Sequence, residues 1–312
     1  MIGKRVQKMK KVAIIDIGSK SIKFFVGERK EDGTIATILD TNNIAALGEG
    51  LAQTGRISDE ALERNAQAVK EFADKARELG AEKIVSVGTM ALRSAANSAD
   101  FVARVKDLCD VDVQIIPGEE EARLSYLAVL SGLPLMDGEL VIFDTGGGST
   151  EFIFGHGKEL KHRFSVNLGS NRITETFFAD DPVKEGSVEA AIAQIDKEFA
   201  EAGVNGSPAQ LVGMGGTVTS MGAVRHMMDK YRPDIIQGSA LTELDVEEQL
   251  AAYAKRTIDE RRQIPGLQPK RADVILSGAC ILKVIMERLN TPQLTISDRG
   301  LRHGLAFDLL NR

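Results

Sequence analysis

The residues best suited to chemistry in this chain are glycines and carboxylates set in tight turns. The segment Asp144-Thr145-Gly146-Gly147-Gly148-Ser149-Thr150 follows an apolar run. Three glycines in a row after a buried strand expose successive backbone N–H groups, a concavity that suits phosphate oxygens, and the hydroxyls of Ser149 and Thr150 can donate beside them. An upstream segment, Asp16-Ile17-Gly18-Ser19-Lys20-Ser21, repeats the character of that turn and adds a cation at Lys20. A third turn, Gly215-Gly216-Thr217, stands between a strand pattern and a helix pattern. Phosphate binding is the chemistry these turns offer. A hairpin turn without a ligand is the competing reading, and the second copy weighs against it.

Carboxylates surround the glycine turns. Asp144 and Glu151 lie on the two arms of one hairpin beside the phosphate loop, where a hard cation such as Mg²⁺ takes one or two protein oxygens, and Asp16 offers a third. Each aspartate can equally cap its own turn. Glu119, Glu120 and Glu121 fall in the first turn of a helix pattern, where acidic residues offset the helix dipole. One of them, aimed at a phosphorus atom, can instead position and deprotonate a water. Arg93 follows a strand pattern, and it can clamp a phosphate bidentately or pair with a nearby acid.

The elements that must hold these residues come in two sets. Residues 12–27 (VAIIDIGSKSIKFFVG) align without gaps on residues 140–155 (LVIFDTGGGSTEFIFG), with Asp16/Asp144, Gly18/Gly146 and Ser21/Ser149 among the identities. Each copy reads as a buried strand, a DxGxxS turn and a second strand, so one hairpin per domain would face the other across a cleft. Helices are predicted over 58–79 with Ser58 as N-cap, 99–108, 188–202, 217–228, 243–257 and 272–289. Strands are predicted over 83–87, 111–116, 209–213 and 294–296. This alternation indicates an α/β architecture with parallel strand pairs. The domain boundary is expected within 131–138, where Gly132, Pro134 and Gly138 punctuate the chain.

Composition narrows the function classes. With 312 residues, 43% of them apolar, there is material for two cored domains, and the formal charge of −6 argues against a nucleic-acid partner. Cys109 and Cys280 read as buried thiols of a reducing compartment, and four scattered histidines give no transition-metal grouping. The basic N-terminal stretch reads as a solvated tail. No run is long enough to span a membrane, so a cytoplasmic protein is expected.

Taken together, IIDIGSKSIKFFVGE, GTMALRSA, IIPGEEEARLSYLAV, LVIFDTGGGSTEFIFG, SVNLGSNRITE, GMGGTVTSMGAV, RADVILSGACIL and ISDRGLRHGLAFD resemble the exopolyphosphatase / guanosine pentaphosphate phosphohydrolase (Ppx/GppA) family, within the superfamily of sugar kinases and actin. The resemblance implies two ribonuclease-H-like lobes with mixed sheets flanked by helices around an interdomain cleft. They would comprise residues 1–134 joined by 301–312, and residues 135–300. It implies a Mg²⁺- or Mn²⁺-dependent, dimeric hydrolase that releases terminal phosphate from inorganic polyphosphate or guanosine pentaphosphate. Glu121 then resembles the catalytic base, with Glu120 as a second holder of the role, and Asp144 and Glu151 resemble the metal-side carboxylates, with Asp16 steering. Arg93 and the amides of residues 18–21 and 146–149 resemble the phosphate ligands. Two departures accompany it. Lys20 stands where the family usually has a small polar residue, and the chain stops shortly after ISDRGLRHG, without the C-terminal helical domains of longer members, which favours short polyphosphate or a nucleotide. A nucleotide sensor with little turnover and an ATP-dependent kinase are the alternative functions.

Overall fold

The computed structural model describes residues 9–311, so residues 1–8 of the basic tail lie outside the described residues. The chain divides into two compact units, Met1–Ser131 with Leu301–Arg312, and Gly132–Gly300.

In the first unit, β1 (Lys11–Ile17), β2 (Ile22–Arg29), β3 (Ile35–Asn43), β4 (Lys83–Gly88) and β5 (Val113–Ile115) form one sheet in the order β3-β2-β1-β4-β5. The first three make an antiparallel meander, and β4 and β5 run parallel to β1. Parallel neighbours need crossovers. These are supplied by α1 (Leu51–Thr54) and α2 (Asp59–Glu78) before β4, and by α3 (Met90–Ser94) and α4 (Ser98–Cys109) before β5; α5 (Gly118–Leu130) follows β5. Ser58 caps α2, its side chain accepting from the Ala61 N–H, as the sequence predicts. Strand β1 is apolar over residues 12–15 because both faces are covered. Val12 and Ile14 pack with Leu124 of α5 and with Leu301 and Leu305 of the C-terminal helix, while Ala13, Ile15 and Ile17 share a core with Val69 of α2 and Phe101 and Val105 of α4.

The second unit repeats the plan. Strands β6 (Glu139–Thr145), β7 (Thr150–His156), β8 (Glu159–Val166), β9 (Gln210–Met214), β10 (Ala240–Thr242) and β11 (Gln293–Ile296) order as β10-β11-β9-β6-β7-β8. Again a meander, β6 to β8, is extended by parallel strands β9 and β11, with β10 as an antiparallel edge. Its helices are α6 (Ser170–Phe177), α7 (Ser187–Glu201), α8 (Gly215–Arg225), α9 (Pro233–Ile236), α10 (Glu243–Ala254), α11 (Ile258–Arg261) and α12 (Ile275–Arg288); α13 (Leu301–Asn311) belongs to the first unit.

Several boundaries differ from expectation, and the helix predicted over 217–228 runs instead over Gly215–Arg225. The helix predicted over 243–257 ends at Ala254 because Thr257 starts a new one, capping α11 in a reciprocal pair with Glu260. The helix predicted from residue 272 starts at Ile275, after a 3₁₀ turn at Pro269–Arg271. The strand predicted over 111–116 keeps only Val113–Ile115. Both cysteines are free and buried, and burial pushes the Cys280 thiol up to about 12. Among the described residues no helix is long and apolar enough to cross a membrane.

Candidate active site

In each unit the parallel strands end at one edge, the side where open α/β sheets bind ligands. In the first unit β1 runs into the turn of residues 18–21, β4 into the segment carrying Arg93, and β5 into the helix carrying Glu121. In the second, β6 runs into residues 146–149, β9 into Gly215-Gly216-Thr217, and β11 into Ser297-Asp298.

The two phosphate-loop candidates have the same backbone. The Gly18 N–H donates to the Ser21 carbonyl at 3.1 Å, and the Gly146 N–H to the Ser149 carbonyl at 2.9 Å. A Leu-Gly pair after the third strand braces each loop from behind. The Gly48 N–H donates to the Ser19 carbonyl at 2.8 Å, and the N–H groups of Ser170 and Asn171, just after Gly169, donate to the Gly146 and Gly147 carbonyls at 3.0 and 2.9 Å. A Cβ on Gly169 would come within 2.5 Å of the Gly147 carbonyl, so only glycine lets the brace close. The carbonyls are thereby used. Among the described residues the N–H groups of Ser19, Lys20 and Ser21, and of Gly147, Gly148 and Ser149, make no hydrogen bond within the protein, which is the arrangement that binds an anion. Lys20 is exposed at the tip of its turn.

The Thr150 hydroxyl, expected to donate to phosphate, is fully buried and donates to the Leu168 carbonyl at 2.7 Å, and Thr217 is buried with its methyl directed at Gly278. Ser149 donates instead to Glu151 Oε1 at 2.6 Å.

Glu121 and Arg93, 28 residues apart, meet at 2.7 Å. The short helix α3 and the start of α5 lie at the ends of neighbouring parallel strands, and Arg93 also donates to the Ile116 carbonyl at 2.9 Å. Arg93 therefore orients a carboxylate here, the alternative reading of this arginine. Glu120 faces elsewhere: Arg123 grips both its oxygens at 2.7 Å and reaches Asp308 of α13 at 3.1 Å. The hydrogen bonds to Glu120 and Asp308 hold the Arg123 guanidinium firmly protonated. This network ties Glu120 to packing and leaves Glu121 as the carboxylate at the edge.

Asp144 and Glu151 stand directly opposite in the β6–β7 register. The equivalent pair in β1–β2 is Asp16 and Lys23, which form an ion pair at 3.6 Å around a buried aspartate. The second copy thus faces two like charges where the first has a matched pair. Like charges directly opposite destabilise a hairpin, and a hard cation relieves the repulsion. Glu151 Oε1 is fixed by hydroxyl donors from Ser149 and from Ser165 at 3.1 Å. This donor set of two carboxylates beside a phosphate loop fits Mg²⁺ or Mn²⁺. Asp16 belongs to the first unit, where Lys23 is its partner at 3.6 Å.

The third glycine turn admits two charged groups. A Cβ on Gly215, whose φ is +80°, would meet Asp144 Oδ1 at 2.0 Å, and one on Gly216 would meet the Arg271 guanidinium at 1.7 Å. Burial depresses the Arg271 pKa while nearby Asp144 opposes the shift, and its Nε is buried without a hydrogen-bond partner. Such an orphaned donor beside a phosphate loop invites an anion. Sequence reading missed Arg271, whose only signal is a basic residue just before the apolar run of α12. It also missed Asp298, which follows β11 and accepts a short hydrogen bond from the Tyr231 hydroxyl.

The Ppx/GppA phosphatase family model matches residues 26–312. A bifunctional 3-dehydroquinate synthase/phosphatase of Fusobacterium nucleatum is 31% identical over 92% of this chain and 44% of its own length. A guanosine-5'-triphosphate,3'-diphosphate pyrophosphatase of Photobacterium profundum is 30% identical over 96% of this chain and 59% of its own. The chain thus spans about half the length of the curated relatives it matches. The crystal structure of the Aquifex aeolicus Ppx/GppA family member superposes with a TM-score of 0.88, at 33% identity, over 96% of this chain and 97% of that one. The two mixed sheets, the braced loops and these matches lead to one assignment: this chain belongs to the Ppx/GppA phosphatase family.

Proposed function

We propose that the protein is a metal-dependent phosphohydrolase that releases terminal orthophosphate from inorganic polyphosphate or guanosine pentaphosphate, with water as nucleophile. The observation that carries the reading is Glu121, held by Arg93 at 2.7 Å at the edge where the amides of residues 19–21 stand unused. A carboxylate fixed there accepts the proton of the attacking water, and the loop amides stabilise the equatorial phosphate oxygens as charge redistributes. Arg93 keeps Glu121 in one orientation. In the second unit the amides of residues 147–149 bind phosphate oxygens, and the Arg271 guanidinium adds a charge-assisted donor. Mg²⁺ or Mn²⁺ held by Asp144 and Glu151 would supply neutralisation of phosphate charge. Phosphate release from short polyphosphate and from guanosine pentaphosphate should require Mg²⁺ or Mn²⁺, cease with a chelator and return on adding metal back. No release from either substrate with either metal would contradict the proposal.

A further inference from the structure

The two hairpins differ in charge at the tips of their loops and at the start of their second strands. In the ungapped alignment Lys20 stands at the place of Gly148, and Lys23 at the place of Glu151. The second hairpin thus has a bare loop tip and two carboxylates, whereas the first has two cations. Lys23 is taken by the buried Asp16 at 3.6 Å. Of the other cations around the first loop, Arg93 holds Glu121 at 2.7 Å, and Arg64 holds Glu49 at 3.1 Å beside the segment that braces the loop. Lys20 is exposed and, among the described residues, its side chain holds no carboxylate and makes no hydrogen bond. Its backbone is fixed all the same. The Ala46 N–H donates to the Lys20 carbonyl at 3.0 Å and the Gly48 N–H to the Ser19 carbonyl at 2.8 Å, so both carbonyls are taken while the N–H groups beside them are unused.

Resting on the hydrolase reading above, we infer that Lys20 is a specificity-determining residue: its ammonium engages the phosphate next to the one held by the amides of residues 19–21, so the first loop selects a run of phosphates over a single one. Three amides in one turn match the oxygens of one phosphate. The flexible four-carbon stem of the lysine carries its charge out beyond those amides, where the neighbouring phosphate of a linear chain lies. The contact is a point charge on non-bridging oxygens, which are anionic in the bound substrate and in the transition state alike. It therefore acts on KM and leaves kcat little changed. In the second loop Gly148 offers no side chain at that place.

The test is calorimetric titration, with Mg²⁺ present, of orthophosphate and of a triphosphate whose bridging oxygens are replaced by methylene, so that it is not hydrolysed. The proteins are the full chain, Lys20→Asn and Lys20→Arg. Lys20→Asn should weaken the triphosphate about fivefold or more and orthophosphate less than twofold, and Lys20→Arg should keep both within about twofold of the wild type. A collapsed loop would lose both ligands together, so a split between them cannot come from misfolding. Unchanged triphosphate affinity in Lys20→Asn, or equal losses for the two ligands, overturns the inference. Wild-type phosphate release from inorganic tripolyphosphate separates the two ideas. No release with the split in affinity removes the hydrolase reading alone, and release without the split removes the role of Lys20 alone.

Discussion

At the scale of single residues, position in the register decides which carboxylate does what. Asp16 and Asp144 occupy the same place in two hairpins, yet one faces Lys23 and the other Glu151. The first pair is matched in charge, whereas the second sets two carboxylates opposite each other. The Ser165 hydroxyl, reaching Glu151 Oε1 at 3.1 Å, is an orienting group of the kind whose loss weakens metal binding. Ser165→Ala is expected to raise the Mg²⁺ concentration for half-maximal phosphate release about tenfold, with the rate at saturating Mg²⁺ little changed. A metal titration of the two proteins measures this. The two hairpins were legible in the sequence because their turn residues repeat. The adjacency of Arg93 and Glu121 was not, since parallel pairing joins them across 28 residues with no local signal. Arg271 escaped notice for a similar reason: it reaches Gly216 from a turn 55 residues on, and nothing near it in the sequence marks the destination.

At the scale of elements, α13 is the support on which α5, the helix carrying Glu121, rests. A Cβ on Gly304 would fall 1.8 Å from the Leu124 carbonyl, so α13 and α5 touch backbone to backbone. Gly304→Ala should force them apart at a cost of about 1–3 kcal/mol and lower phosphate release with it, checked by urea unfolding alongside the activity assay. The start of α13 is also tied to β3 by charged groups. Arg302 donates to both oxygens of Asp40 at 2.8 and 3.0 Å, and His303 lies 2.9 Å from the second. Burial raises the Asp40 pKa, but the hydrogen bond from His303 and the Arg302 guanidinium outweigh it and hold the carboxyl below the ordinary value. A depressed folded pKa means stability that is full above the unfolded value, near pH 4, and is lost as pH falls through the folded one. Asp40→Asn should therefore cost about 1 kcal/mol at pH 7 and almost nothing at pH 2, read from melting temperatures at the two pH values. Long helices such as α2 were legible from cap and periodicity. Strands β3 and β8 were not, because edge strands with polar, largely exposed residues lack the apolar alternation that marks a strand.

At the scale of the molecule, the chain is one sheet plan used twice with different chemistry at equivalent places. Strands β1, β4 and β5 correspond to β6, β9 and β11, and each leads into a segment that carries candidate site residues. The first unit places a carboxylate and an arginine at that edge, and the second places a carboxylate pair and a buried arginine. The repeat in the sequence pointed to this duplication through its hairpins alone, because β4 and β9 share no motif. Family membership agrees with the plan as a whole, and the distinction between Glu120 and Glu121 comes from side-chain partners. That distinction is the centre of the account, and one comparison tests it most directly: phosphate release by the wild type, Glu121→Gln and Glu120→Gln with Mg²⁺ present. Glu121→Gln should lose about 10² or more with substrate binding retained, and Glu120→Gln far less. Equal rates for the wild type and Glu121→Gln would contradict it.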